Sequence, residues 1–132
     1  MTHRALEFHD SKFKALRYNK AGDVQIMLDK VIVHEANKPG SESGKVFTQQ
    51  MCIIVTSPAV EQNSSQVDAD LYDGWISVDD KKFDNVVPLP FKYTGKIRVM
   101  LALAHKDEKI LVNGTAIEIV AIGDAKYLEE FK

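Results

Sequence analysis

Cysteine is nearly absent from this sequence of 132 residues, which contains only Cys52. One thiol cannot form an intramolecular disulfide, and it cannot supply the several thiolates of a structural zinc or iron–sulfur site. A chain without disulfides suits a reducing compartment, so we expect a cytoplasmic protein. Cys52 lies in an apolar run, 51–55, which predicts a buried small hydrophobic residue rather than a reactive thiol.

Long apolar runs and an excess of basic residues are also lacking. The longest apolar stretches fall far short of the roughly 20 residues that cross a bilayer, and charge appears too early in the chain for a signal peptide. The 17 Lys and Arg face 19 Asp and Glu, which leaves a formal net charge of -2. We therefore expect no membrane partner and no nucleic-acid partner.

The composition that is present is typical of a globular chain. Hydrophobic residues make up 45% of the sequence and charged residues 27%, which allows a core and argues against a disordered chain. Independent domains commonly run to roughly 100 to 200 residues, so we expect residues 1–132 to form one domain.

Alternation of apolar and polar residues is the main secondary-structure signal. Around 97–105 both faces of the alternating pattern are largely apolar, which predicts a central strand. The charged segment 106–109 then predicts a hairpin. Asn113-Gly114 predicts a second tight turn, because this dipeptide tolerates positive φ at both central positions. Upstream, the Gly-containing segment 19–23 predicts another hairpin.

The strand that follows this upstream hairpin changes its apolar phase. Apolar residues occupy even positions up to Leu28 and odd positions from Val31 onward. A slip of one residue near Asp29-Lys30 therefore predicts a β-bulge, although a strand buried on both faces would also tolerate it.

Helical spacing occurs only in the carboxy-terminal segment. Asp124 can cap a helix in which Tyr127, Leu128 and Phe131 share one side. The remaining short, turn-punctuated strands predict an all-β fold, either an antiparallel β-sandwich or a flattened barrel, of about 8–10 strands with this short C-terminal helix.

Motifs for phosphate binding, serine hydrolysis and metal binding are missing. The chain has no G-x-x-x-x-G-K-[ST], G-x-G-x-x-G or G-x-S-x-G pattern, and its histidines show no zinc spacing. Asp68, Asp70 and Asp73 faintly resemble a calcium loop, but the third Asp and the following Gly arrive one residue late. We therefore expect no metal and no cofactor.

The tripeptide His9-Asp10-Ser11 combines the side-chain types of a catalytic triad. A triad needs groups that converge in space, and neighbours in sequence point in different directions, so adjacency does not support one. We interpret the tripeptide as structural: Asp10 or Ser11 caps a turn, and His9 bonds a backbone group.

Five residues are nevertheless candidates for a ligand-binding site that distant strands could assemble: His9, Asp10, His34, Trp75 and His105. Trp75 is the only tryptophan. As a large apolar residue it is expected in the core, whereas on an exposed face it could stack against a sugar or anchor a protein partner. The segments 37–45 and 57–70 are expected to be the binding loops.

Several short segments occur in an order that spans nearly the whole chain: Leu6–Ser11, Asp73-Gly74, Phe83-Asp84-Asn85, Pro88-Leu89-Pro90 and Tyr127–Phe131. Taken together they resemble a family of small bacterial proteins with no assigned function. The resemblance implies an all-β fold and brings no catalytic residue with it.

Three functions remain open. The first is a non-enzymatic binding module for a protein or small-molecule ligand, which the lack of catalytic spacing favours. The second is a small hydrolase or isomerase whose site gathers His9 and Asp10, with His34 or His105 as a further member. The third is an assembly component, such as a homodimer that pairs exposed strand edges.

Overall fold

The structure is a computed structural model that describes residues 3–36, 44–63, 69–104, 108–124 and 126–131. Its strands, numbered in chain order, are β1 (His3–Tyr18), β2 (Val24–Ala36), β3 (Gly44–Thr56), β4 (Ala59–Gln62), β5 (Ala69–Val78), β6 (Lys81–Asp84), β7 (Val86–Leu89), β8 (Phe91–Leu103), β9 (Lys109–Ala121) and β10 (Lys126–Phe131). The described part of the chain contains no helix long and apolar enough to cross a membrane.

Six of the strands close into an antiparallel barrel, and the predicted all-β fold is thereby confirmed. Around the barrel the order is β1, β2, β3, β9, β8 and β5, with β5 returning to β1. The ring is closed by β3 and β9, where Met51 lies opposite Ala121 and Thr56 opposite Ala116. Of the two predicted architectures, the barrel is the one observed.

The barrel interior is packed with apolar side chains, as is usual when few strands form the ring. Phe8, Phe13, Phe91 and Ile53 are among the largest side chains that are fully buried there. A ligand would therefore bind at the ends or on the outside of this barrel rather than in a central cavity.

The predicted bulge in β2 is confirmed. Between Leu28 and Val31 the chain of β2 advances three residues while the paired chain of β3 advances two. Both residues are fully buried, so the extra residue keeps the apolar face turned inward on each side of the slip. The hairpin predicted at 19–23 also joins β1 to β2 as expected.

The turn predicted at Asn113-Gly114 is wrong, because β9 runs through this dipeptide without a break. Gly114 is required there for a different reason. A Cβ atom at this position would overlap the Val55 side chain and lie 2.7 Å from the carbonyl oxygen of Thr56. Glycine thus permits the close approach of β3 and β9 that closes the barrel, rather than a reversal of the chain.

The predicted C-terminal helix after Asp124 is also wrong. The segment is β10, whose residues Lys126–Phe131 pair with Gly44–Thr48 of β3. β9 pairs with β3 only beyond these residues, so the first part of β3 offers unpaired backbone groups to a further strand. Six or seven residues gain little from an isolated helix, and the sheet edge supplies their hydrogen bonds instead.

The two predicted loops are shorter than expected. Ala59–Gln62 forms β4 and pairs with β9, while residues 69–70 already belong to β5 and residues 44–45 to β3. Residues 37–43 and 64–68, which make up most of the remainder, lie outside the described residues.

Candidate functional site

The most distinctive surface feature lies where β1 passes from one partner strand to another. On this edge β1 pairs with β7 through Arg4–Glu7 and with β5 only at Lys12 and Phe13. We call the intervening stretch of β1, residues 8–11, the β1 gap. Against β2, the chain of β1 advances five residues from Glu7 to Lys12 while β2 advances two, so β1 contains a bulge of three extra residues here.

Asn85, in the connection between β6 and β7, fills this gap. Its carbonyl oxygen accepts the backbone N–H of Phe8 at 2.9 Å, and its side-chain oxygen accepts the N–H of His9 at 2.9 Å. Its own N–H donates to the carbonyl of Gly74 at 2.8 Å. Asn85 has a φ of 63°, a left-handed conformation in which asparagine is enriched. Asn85 therefore pairs the backbone N–H groups of Phe8 and His9 in place of a partner strand.

Buried side chains hold the same bulge from inside the barrel. The Ser11 hydroxyl, which is fully buried, donates to the Glu7 carbonyl at 2.6 Å and accepts the Ile32 N–H at 3.0 Å. Phe8 packs over Gly74, where a Cβ atom would lie 2.8 Å from the first ring carbon of Phe8. Ser11 thus faces the interior while His9 and Asp10 are exposed, which rules out a triad formed by these three residues.

His9 is held in one orientation at the mouth of the gap. Its Nδ1 lies 2.8 Å from the carbonyl oxygen of Tyr72, its Nε2 lies 3.6 Å from Asp10 Oδ1, and its ring meets the Tyr72 ring edge-on at 6.3 Å. The backbone bond of His9 predicted from the sequence is therefore present. The Tyr72 carbonyl first, and the Asp10 carboxylate second, raise the pKa of His9 above its ordinary value, because both favour the protonated ring.

A shallow depression of about 280 Å³ opens beside this histidine, lined by His9, Tyr72, Asp73, Asp84 and Asn85. β5 contributes Tyr72 and Asp73 at a bulge of its own, where two residues lie opposite one residue of β8. No lysine or arginine lines the depression among the described residues. The bulges of β1 and β5 thus place His9, Tyr72 and Asp73 beside Asp84, the last residue of β6.

Of the other predicted site residues that the structure describes, Asp10, His34 and Trp75 are not part of the lining of this depression. His34 Nε2 lies 2.9 Å from Glu7 Oε1 on the outer face of β1 and β2. The Glu7 carboxylate is also one of the charges that raise the pKa of His9. His105 lies outside the described residues. The structure therefore joins His9 with Asp10 and places His34 at a neighbouring ion pair.

Trp75 is half-buried on the outside of the barrel, so its expected place in the core is wrong. The side-chain nitrogen of Lys82 lies 4.9 Å from its ring centroid, and the guanidinium carbon of Arg98 lies 5.9 Å away. Both cations cover the indole through cation–π contact. The neighbours of Trp75 in β5 that face inward, Gly74 and Ile76, are buried instead.

Metal binding and thiol chemistry receive little support from the geometry. Over residues 3–36, 44–63, 69–104, 108–124 and 126–131, no group of three or more His, Cys, Asp or Glu side chains is placed to hold a metal ion. Cys52 is buried, as the sequence predicts, and burial raises the pKa of its thiol because the thiolate is the charged form. A raised pKa leaves less of the reactive thiolate at neutral pH.

A second gap occurs where β3 passes from β10 to β9. Pairing with β10 ends at Thr48 and pairing with β9 starts at Met51, which leaves Gln49 and Gln50 between them. We call this stretch the β3 gap. A depression of about 620 Å³ adjoins it, and its charged lining residues are Asp29, Lys30, Asp124 and Lys126.

Tyr72, Asp73, Asp84 and Asn85 were not singled out from the sequence, although a signal for their position exists. Buried residues of β5 lie at odd positions up to Leu71 and at even positions from Gly74 onward. In β1 they change from even positions at Phe8 to odd positions at Ser11. Each reversal marks a bulge of the kind recognised in β2, but a glycine and a serine at the slip hid the apolar pattern.

No family model matches this chain, and no curated protein or solved structure is significantly similar to it. The resemblance to small bacterial proteins of unassigned function therefore stays a prediction. Its segments Leu6–Ser11, Asp73-Gly74 and Phe83-Asp84-Asn85 are the ones that meet at the β1 gap.

Proposed function

We propose that this chain is a non-enzymatic binding module and that the depression at the β1 gap holds an organic cation, such as a primary ammonium group. The observation that supports this most is the composition of the lining. Asp73 and Asp84 face the depression with the exposed ring of Tyr72, and Asp10 stands beside it next to His9. The cytoplasmic setting expected from the single cysteine belongs to the same proposal.

Charge is the first reason for a cationic ligand. Carboxylates gathered in a concave surface attract a positive group more strongly than isolated surface charges do, because their fields add. The pKa of His9 is raised first by the Tyr72 carbonyl and then by Asp10, Glu7 and Asp73, and the contribution of these three carboxylates indicates their field. A ligand ammonium would be attracted by the same carboxylates, most strongly at a pH at which His9 is neutral.

Aromatic surface is the second reason. Tyr72 exposes 67% of its surface, which is the largest value among the exposed large hydrophobic residues described. A cation over a tyrosine ring gains about 0.5–1 kcal/mol at an exposed site. Tyr72 thus adds a face to which an ammonium or a guanidinium group can bind, next to carboxylates that can accept its N–H bonds.

The settings of Ser11 and Cys52, two side chains that could act as nucleophiles, favour binding over covalent catalysis. Ser11, whose hydroxyl is two residues from His9 in sequence, is buried, and the hydroxyl forms hydrogen bonds with the Glu7 carbonyl and the Ile32 N–H. Cys52 is buried in β3 with a raised pKa. Within the part of the chain that the structure describes, neither side chain has the exposed, activated setting that covalent catalysis needs.

The test is a titration with Nα-acetyl-lysine methylamide, followed by amide chemical shifts and calorimetry. We expect weak, salt-sensitive binding at His9, Tyr72 and Asp84, and a loss of about five-fold in affinity for Asp84→Asn, which corresponds to about 1 kcal/mol. Asp124→Asn, at the β3 gap, is the matched control and leaves the affinity unchanged. Equal binding of the norleucine analogue, which lacks the charge, would contradict the proposal.

Two further probes test whether the natural ligand is a small molecule or a protein. Putrescine presents the ammonium group on a small molecule, and a short lysine-containing peptide presents it on a chain. A gain in affinity for the peptide favours a protein partner, whereas equal affinity favours a small-molecule ligand.

A hydrolase or isomerase remains the second candidate, and one observation favours it. The Tyr72 carbonyl accepts a hydrogen bond from the Nδ1–H group of His9, which leaves Nε2 as the unprotonated nitrogen of the neutral ring. A nitrogen held in this way can act as a general base. Turnover across a panel of ester, amide and isomerase substrates that His9→Ala abolishes would establish this function and refute the non-enzymatic module.

Assembly through strand edges is the third candidate. Among the described strands, β4 and β10 pair with one neighbour each and stand at the two ends of the strand order. Each therefore presents an edge that a second copy could extend. Light scattering that shows a monomer at all working concentrations would exclude the homodimer.

A further inference from the structure

One end of the barrel holds a small cavity of a different character from the β1 gap. Its volume is about 210 Å³, and it is lined by Arg4, Met51, Leu89, Pro90, Ile119 and Ala121. Five of these six residues are apolar, so the cavity offers a hydrocarbon-like wall with a single cationic group. Such a combination of an apolar wall and one oriented polar group is typical of sites for small organic ligands.

Arg4 is held in place by two neighbouring side chains. Its Nη2 donates to Gln49 Oε1 at 3.0 Å, and Gln49 in turn donates from Nε2 to the carbonyl of Gly123 at 2.7 Å. Its Nε lies 3.8 Å from Glu35 Oε2, which is within reach of charge attraction but too long for a hydrogen bond. The guanidinium group is therefore positioned before any ligand arrives.

The Nε–H group of Arg4 lacks an acceptor. This atom is buried and has no hydrogen-bond partner among the described residues. Buried N–H donors are nearly always paired in folded proteins, because leaving water without a new partner is unfavourable. The nearest acceptor, Glu35 Oε2 at 3.8 Å, is too far for a hydrogen bond, so the guanidinium charge of Arg4 is only partly compensated by the chain.

We propose that this cavity binds a short-chain carboxylic acid, whose carboxylate bonds the Arg4 guanidinium and whose acyl chain packs against Met51, Leu89 and Ile119. The planar fork of arginine matches two carboxylate oxygens, which the more accessible Nη nitrogens would bind because Nε itself is buried. The volume lies below the range of about 300–1,000 Å³ usual for drug-sized ligands, which limits the acyl chain to a few carbons.

The Glu35 carboxylate competes with a ligand carboxylate for the guanidinium group of Arg4. Its carboxylate already offsets part of the Arg4 charge from 3.8 Å, so a ligand carboxylate must approach a neighbour of like charge. This predicts an unusual direction of effect: Glu35→Gln should strengthen the binding of a carboxylic acid, although it removes an ion pair.

The experiment compares hexanoate, hexanol and hexylamine by amide chemical shifts and calorimetry. We expect saturable binding of hexanoate with shifts at Arg4, Met51 and Ile119, and binding at least about ten-fold weaker for the other two probes. Glu35→Gln should tighten hexanoate binding several-fold. Equal affinity for hexanol and hexanoate would overturn the proposal, because the carboxylate would then contribute nothing.

Arg4→Gln should weaken hexanoate binding at least about ten-fold, and Arg98→Gln is the matched control. Arg98 also pairs with a glutamate, Glu61, at 3.3 Å, and its side chain is exposed to a similar degree, 43% against 36% for Arg4. Unchanged binding in Arg4→Gln, or an equal loss in Arg98→Gln, would refute the assignment of the carboxylate to Arg4.

A second variant covers the case in which Arg4→Gln fails to fold. Ala121 is exposed at the end of β9, so Ala121→Leu can extend into the cavity without disturbing the packed interior. This variant should keep the melting temperature and lose hexanoate binding, whereas retained binding would overturn the proposal. Cation binding at the β1 gap should be unaffected by it, so the two proposals can fail separately.

Discussion

The β1 gap and the β3 gap arise in the same way and are filled differently. In each, a strand of the barrel exchanges one partner for another and leaves a short stretch unpaired. At the β1 gap, Asn85 supplies backbone and side-chain hydrogen bonds to Phe8 and His9. At the β3 gap, the side-chain amides of the gap residues form the hydrogen bonds instead. Gln50 donates to the Asp29 carboxylate at 2.9 Å, and Gln49 donates to the Gly123 carbonyl at 2.7 Å.

The comparison shows that a stretch of strand packed on buried side chains can hold an exposed side chain in a fixed position. Ser11 and Phe8 lie fully buried beneath the β1 gap, so the backbone that carries His9 is held by the core. The charges differ as well. In the depression beside the β1 gap, the carboxylates of Asp73 and Asp84 have no lysine or arginine among the described lining residues. In the depression beside the β3 gap, Lys30 and Lys126 offset Asp29 and Asp124, so the electrostatic fields of these four charges largely cancel.

The largest expected contrast between the gaps comes from two glycines. Gly74→Ala should lower the free energy of unfolding by about 3 kcal/mol, because the new Cβ would lie 2.8 Å from Phe8 Cγ and 3.0 Å from Leu101 Cδ2. Phe8 Cγ is the first ring atom and cannot swing away. Gly123→Ala meets only Gln50 Oε1 at 3.6 Å, so it should change stability by less than about 0.5 kcal/mol. Urea denaturation measures both.

A smaller contrast is expected from the polar side chains that hold the gaps. Ser11→Ala leaves the Ile32 N–H without its acceptor inside the core and should cost about 1–2 kcal/mol. Gln50→Ala removes an exposed hydrogen bond to Asp29 and should cost less than about 0.5 kcal/mol. Equal costs in the two variants would show that the interior does not support the β1 gap more firmly.

The smallest effect is electrostatic and concerns His9. Because its pKa is raised in the folded protein, protonation of His9 favours folding. This contribution is fully present below the ordinary histidine value of about 6.5 and is lost as the pH rises through the higher folded value. Histidine C–H shifts followed by NMR should therefore give a pKa above about 6.5 for His9.

Asp10→Asn should lower that pKa but leave part of the increase, since the Tyr72 carbonyl is the larger cause. Asp124→Asn, at the β3 gap, should leave the titration of His9 where it is. If Asp10→Asn left the pKa of His9 unchanged, the carboxylates would not be contributing to the electrostatic field around His9.

The sequence predicted some of these features because they depend on local periodicity. The bulge in β2 followed from the change of apolar positions between Leu28 and Val31, and the structure confirms it. The bulges in β1 and β5 follow the same rule but were missed, because Ser11 and Gly74 are buried residues that hydropathy does not mark as core. The sequence therefore pointed to His9 and Asp10 as site candidates but not to Tyr72, Asp73, Asp84 and Asn85, which the structure places beside His9.

Two local signals led to wrong predictions, for a shared reason. Asn113-Gly114 has the composition of a tight turn, and the segment after Asp124 has helical spacing, yet both lie in strands. In each case β3 decides the outcome: it packs closely against Gly114 and pairs with Lys126–Phe131. Intrinsic preferences of short segments amount to about 1 kcal/mol per residue or less, so backbone pairing with another strand can override them.

By itself, the sequence determined an all-β chain with hairpins and a β2 bulge, because alternating side chains record which face of a strand is buried. Only the tertiary structure decided that β3 joins β9 to close a barrel, and that His9 meets Tyr72, more than 60 residues away in sequence. Strand pairing uses backbone N–H and C=O groups, which every residue except proline carries alike. The choice of partner strand therefore leaves little trace in the identity of the residues that pair.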